Sequence, residues 1–87
     1  MEIGLISISP NPAVNSINIT VNTAGIENVK LSITNMNGQK ILENNLTLNK
    51  GINTISEDIS SLIKAGYILS IKNIMTGKVT RKSFQKL

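Results

Sequence analysis

Cysteine and histidine are both absent from the 87 residues. Without thiols there can be no disulfide, zinc-thiolate site or thiol nucleophile. Without imidazole the commonest general base and the commonest metal ligand are missing too. Tryptophan is also absent, and Tyr67 and Phe84 are the only aromatic side chains. Long apolar runs are missing: no stretch reaches the roughly 20 residues of a membrane-spanning helix. The start, Met1-Glu2-Ile3-Gly4, lacks the basic region and apolar run of a secretory signal peptide. If the domain is exported, the expectation is a signal upstream in a parent protein, or a domain that is itself the signal.

Catalytic constellations are equally scarce. Glu57-Asp58 is the one adjacent carboxylate pair. Neighbours on a strand point to opposite faces, so these two could not share a proton there. There is no Asp-x-Asp-x-Asp loop for calcium. The six glycines fall singly at turn positions and form no phosphate-cradling loop. Ser61-Leu62-Ile63-Lys64 matches the Ser-x-x-Lys of penicillin-recognising enzymes, but without their companion motifs or their size it reads as chance. Asn18-Ile19-Thr20 and Asn45-Leu46-Thr47 are glycosylation sequons of the kind an Asn-rich chain contains by accident. No enzyme, cofactor or metal site is expected.

What is present is a β pattern. The chain is 40% hydrophobic, almost all of it aliphatic, and Ile and Val favour strands. Ile3 to Ser9 is a short apolar-rich run closed by Pro10-Asn11-Pro12. Proline has no N–H to give a ladder, so this segment reads as a corner or an edge. Ser16 to Asn22 alternates, with Ile17, Ile19 and Val21 on one face, and Val29, Leu31 and Ile33 repeat the pattern. Asn37-Gly38 predicts a hairpin with a type I′ turn, followed by a strand from about Lys40 to Leu48. Asn49-Lys50-Gly51 predicts another turn, then a strand over 52–57. Asp58 to Leu62 reads as a loop or short helical turn that tucks Ile59 and Leu62 inward. Tyr67 to Lys72 and Lys78 to Lys86 complete the series, with Thr76-Gly77 turning between them. Tyr67 is expected in the core or at a corner, its hydroxyl tied to backbone.

About seven short strands at this spacing predict an all-β fold, an immunoglobulin-like antiparallel β-sandwich. The length fits one domain over 1–87, with residues 1–8 either a linker or the first strand. The net charge is +4, and Lys78, Arg81, Lys82 and Lys86 crowd the last strand. They read either as a strip for an anionic partner or as a charged edge that blocks aggregation. Nucleic acid is a poor fit, because stacking platforms are lacking. Open edges would also allow a dimer through edge strands.

The order of these features resembles a family, the type A C-terminal sorting domains of the type IX secretion system of Bacteroidetes. Ser9-Pro10-Asn11-Pro12-Ala13 is similar to the opening Pro-Asn-Pro-Ala signature, with Ser9 where an aromatic residue is usual. Ile33 to Ile41 resembles the apolar strand and Asn-x-x-Gly turn that contains Gly38. Leu48 to Asn53 matches a Gly-x-Asn step through Gly51 and Asn53. Asp58-Ile59-Ser60-Ser61-Leu62 resembles an Asp-Leu-Ser-x-Leu segment, and Tyr67 to Ile71 the Tyr strand. Lys82-Ser83-Phe84-Gln85-Lys86 is similar to the closing Lys-x-Phe/Ile-x-Lys. In the family's Leu-x-x-Gly-x-Tyr, Leu62 and Tyr67 keep their spacing. Ala65 takes the Gly place and the glycine stands at Gly66, so the turn before the Tyr strand is expected to differ.

The resemblance implies a secretion signal at the C-terminus of an upstream cargo in the same polypeptide. Its partners would be periplasmic shuttle components, the outer-membrane translocon and a surface sortase that cuts upstream of the domain. The protein would pass through the periplasm and end at the cell surface, on anionic lipopolysaccharide, or in the medium. Recognition would read the motif positions, from Pro10, Asn11 and Pro12 to Lys82, Phe84 and Lys86. The last strand, exposed at its end with Lys82 and Lys86, would add to a partner's sheet. The competing reading is a generic immunoglobulin-like or fibronectin-like binding module of a cell-surface protein. For carbohydrate it would need surface aromatics, which the chain lacks.

Overall fold

The computed structural model describes Gly4 and residues 7–87. Seven strands follow in order: β1 (Ser7–Ser9), β2 (Ser16–Thr23), β3 (Glu27–Asn35), β4 (Lys40–Leu48), β5 (Gly51–Asp58), β6 (Ala65–Asn73) and β7 (Val79–Lys86). Of the apolar run expected over Ile3 to Ser9, only Ser7–Ser9 lies among the continuously described residues, and it is a strand. Among the described residues no helix is long and apolar enough to cross a membrane.

The strands pair antiparallel into two sheets, β1-β2-β5 and β4-β3-β6-β7. The alternation of the sequence is the cause. Ile17, Ile19 and Val21 of β2 face Val29, Leu31 and Ile33 of β3 and Leu69 and Ile71 of β6, all fully buried in one core between the sheets. The residues that alternate with them, such as Asn18 and Asn22 of β2 and Ser70 and Lys72 of β6, face outward. A one-residue slip would turn each apolar set outward, so the hydrophobic pattern itself sets the register. This is the immunoglobulin-like sandwich that the strand spacing predicts.

Asp58 to Leu62 closes one end of the core. Ile59 is fully buried beneath it, and Leu62 packs against the core from the rim. The Ile59 N–H donates to the Asn15 carbonyl at 2.9 Å, and the Leu62 N–H to the Ile59 carbonyl at 3.0 Å. The loop is thus tied both to the start of β2 and to itself.

The β3–β4 connection is a hairpin, but its turn is not type I′. That turn needs positive φ at two central residues, and only Gly38 has it, at 87°. The loop has three residues instead. Gly38 N–H donates to the Asn35 carbonyl at 3.1 Å, and Asn35 N–H to the Gln39 carbonyl at 2.9 Å. This is a type I turn followed by a left-handed glycine, the usual three-residue hairpin. The cause is Asn35, whose Oδ1 accepts from the N–H groups of Asn37 (3.0 Å) and Gln39 (2.9 Å). A side chain two residues upstream of the Asn-Gly pair decides the turn. The register then shifts between Ile33 and Thr34, which pair with Leu42 and Lys40 and leave Ile41 as an extra, exposed residue.

Candidate recognition site at the last strand

β7 is an edge strand, paired on one side with β6. Its even-numbered residues share the inner face with Tyr67 and Leu69, and its odd-numbered residues face outward from the sandwich. Phe84 is opposite Tyr67 in the register, and their rings stack with centroids 5.8 Å apart. The two aromatic side chains of the protein therefore form one buried contact. Tyr67 is the expected corner residue: its hydroxyl donates to the Ile63 carbonyl at 2.6 Å.

The other edge of β7 is partly covered by the opening motif. After β1 the chain bends through Pro10, Asn11 and Pro12, crosses to the other sheet, and sets Ala13 beside Lys86 in a parallel bridge. The Ala13 N–H donates to the Gln85 carbonyl at 2.8 Å, and the Leu87 N–H to the Ala13 carbonyl at 2.7 Å. Asn11 Oδ1 accepts from the Gln85 N–H at 3.0 Å. Ala13 is fully buried in this clasp. The backbone pairing stops at Ala13, and the Asn11 side chain supplies the next acceptor along β7.

This arrangement alters the expected role of Lys86. A lysine next to the last residue reads as a solvated charge, yet Lys86 is 7% exposed. It lies on the inner face beside Phe84, and its Nζ donates to the Leu87 carbonyl at 2.7 Å. Its aliphatic stem is covered while the ammonium finds an acceptor at the surface. The end of β7 is occupied, not open. Lys82, on the same face two residues after Thr80, is exposed.

The remaining motif residues have local tasks. Asn53 closes the β4–β5 turn: its Nδ2 donates to the carbonyls of Asn49 (2.8 Å) and Gly51 (3.2 Å), and its Oδ1 accepts from the Asn49 N–H at 3.0 Å. Gly51 holds φ of 103°, a conformation that L side chains rarely adopt. Gly66 sits under Met36, whose Cε would lie 3.1 Å from an added Cβ. Ala65, in the family's usual glycine place, is already the first residue of β6. Gly38, Leu62, Tyr67, Phe84, Lys86 and the Pro10–Ala13 segment gather at one end of the sandwich, as the pairing of Asn35 with Tyr67 and of Ala65 with Lys86 requires. Gly51 and Asn53 lie toward the other end, where Gly51 pairs with Thr23.

Two carboxylates are tuned by neighbours at the surface. Lys40 bonds to Glu43 and, together with Lys30 at 3.8 Å, holds its carboxyl below the ordinary value of 4.5 against the opposing effect of desolvation. Asp58 is held below 3.8 by hydrogen bonds from the Ser60 side chain and backbone; the backbone N–H lies 2.9 Å from Oδ1. Neither lies on β6 or β7. The last strand therefore carries backbone groups and cations and no carboxylate.

The clasp itself could not be read from local pattern. A parallel bridge between the two ends of a chain leaves no periodicity. Its one local sign is the Pro-Asn-Pro run, which marks where ladder pairing must stop. Comparison with known proteins gives the context. No curated protein matches the chain significantly. The model of the secretion system C-terminal sorting domain matches residues 7–86, from the first residue of β1 to the last residue of β7. The chain belongs to the family of type IX secretion system C-terminal sorting domains.

Proposed function

We propose that this chain is the non-catalytic signal domain of a larger exported polypeptide. It directs an upstream cargo through the periplasm and the outer-membrane translocon, and a surface sortase then cuts before it. Family membership carries export to the cell surface or the medium. The finer route is supported by one observation above the others: the opening and closing motifs, Asn11 to Ala13 and Gln85 to Leu87, are bonded to each other. The two most separated parts of the signal form one surface, so a receptor reading it reads the folded domain.

The test is a secretion assay. Residues 1–87 are fused to the C-terminus of a periplasmic reporter in a host with a working type IX system, beside a secretion-deficient mutant of that host. Reporter at the surface or in the medium, absent in the mutant, is the expected result. Retention of a folded fusion in the periplasm of the competent host would sink the reading. Deleting Lys82 to Leu87 is a weaker probe than it looks. It removes the buried Phe84 and Lys86 and the clasp along with any recognition surface, so circular dichroism must accompany it.

A further inference from the structure

The clasp covers only the end of β7. Gln85 sends both its N–H and its C=O away from β6, toward Asn11 and Ala13. In an antiparallel pair these directions alternate along the strand. Arg81 and Ser83 therefore point their N–H and C=O groups to the same open side, and among the described residues nothing bonds to them there. The chain's own segment does not extend the pairing this far, because Ser7–Ser9 is engaged with β2 in the other sheet.

The side chains flanking this open stretch are cationic on both faces. Arg81 lies on the outer face and Lys82 on the inner, and both are exposed. Neither makes an ion pair among the described residues, and β6 and β7 contain no Asp or Glu. A second copy pairing antiparallel about this stretch would set either Arg81 against Arg81 or Lys82 against Lys82 of its mate, and like charges directly opposite are destabilising.

The geometry points to the Arg81–Ser83 edge of β7 as the docking site for an extended, acidic segment of a partner protein, added as a further strand beside β7. Main-chain groups of Arg81 and Ser83 supply the bonds, and the flanking cations select a segment with carboxylates on both faces. This rests on the secretion-signal reading and names the feature by which a component of that machinery grips the domain.

Proline substitution separates docking from folding. Arg81→Pro and Ser83→Pro each delete an outward N–H and leave the β6–β7 bonds intact. Both variants should unfold cooperatively with β-sheet spectra. In the reporter fusion each should lower secretion at least about tenfold, the effect of losing bonds worth about 1.4 kcal/mol. Arg81→Glu combined with Lys82→Glu should do the same, and Arg81→Lys should not. In the 87-residue chain the amides of Arg81 and Ser83 should exchange at least about a hundredfold faster than those of Lys82 and Phe84. If the unaltered fusion is secreted and the folded proline variants are secreted equally, this inference falls and the signal function stands. If the prolines block secretion and the glutamates do not, the acidic partner is wrong. Protection of both amides that rises with protein concentration would put a second copy on the edge and overturn the proposal. An unaltered fusion that is not secreted removes both readings together.

Discussion

Asn11 accepts a hydrogen bond from the backbone of Gln85 at 3.0 Å, across a separation of 74 residues. The Pro-Asn-Pro turn thereby acts as a cap on a strand edge. Its amide oxygen takes the place of the backbone carbonyl that Pro-Asn-Pro cannot set in register.

Asn11→Ala should cost about 1 kcal/mol, the usual net worth of such a bond. For a domain of this length that lowers the melting temperature by about 4–8 °C. Asn11→Asp keeps the acceptor oxygen and should keep most of the stability. Thermal unfolding followed by circular dichroism distinguishes the two, and equal losses for both would remove the capping role.

Ile59→Ala should be far more costly. The side chain is fully buried under the loop between β5 and β6, and such truncations cost about 2–5 kcal/mol. Against a total of about 5–15 kcal/mol for a whole domain, urea titration should show a much lower midpoint with an unchanged slope. A loss under about 0.5 kcal/mol would mean that the loop does not seal the core.

Tyr67→Phe removes one hydroxyl and keeps the stack on Phe84. The expected loss is about 1 kcal/mol, from the bond to the Ile63 carbonyl. Phe84→Ala removes the stack and the burial together and should cost about 3–5 kcal/mol. Urea unfolding of both variants checks the order, which reverses if the corner bond outweighs the ring.

Glu43 and Asp58 both have lowered carboxyl values in the folded chain. A depressed value stabilises the fold while the group is ionised in both states. That contribution is complete above the unfolded values of 4.5 and 3.8 and is lost as pH falls through the lower folded values. Stability should thus decline on acidification below about pH 4.5. Carboxyl titration by NMR should place both groups under their unfolded values. Added salt should raise Glu43, whose partners are lysines, more than Asp58, which is held by hydrogen bonds. Equal salt shifts would contradict these causes.

The strands were legible because one physical rule produces them. Ile17, Ile19 and Val21 alternate with polar residues, and Tyr67, Leu69 and Ile71 recur at every second position, the period of a half-buried strand. Ile59 and the Tyr67 corner were legible for similar reasons: each is a large apolar group beside a turn, with one obvious place to go. The β3–β4 turn misled because Asn37-Gly38 was read as a pair, whereas Asn35 organises the loop through its own side chain. Lys86 misled because its charge suggested solvent. Its burial depends on Ala13 and Leu87, which meet it only when β7 is docked. Contacts that join distant segments through backbone leave no signature in composition or spacing.

The clasp also bears on timing. Its bonds run from Ala13 to Gln85 and Leu87, so the N-terminal segment waits for the last strand before its own pairing can close. Such long-range closure slows folding, since loop entropy is spent before contacts repay it. A polypeptide interrupted before Gln85 leaves Asn11 and Ala13 without their partners on the last strand. The closed clasp therefore exists only in a chain that has been made at least as far as Leu87.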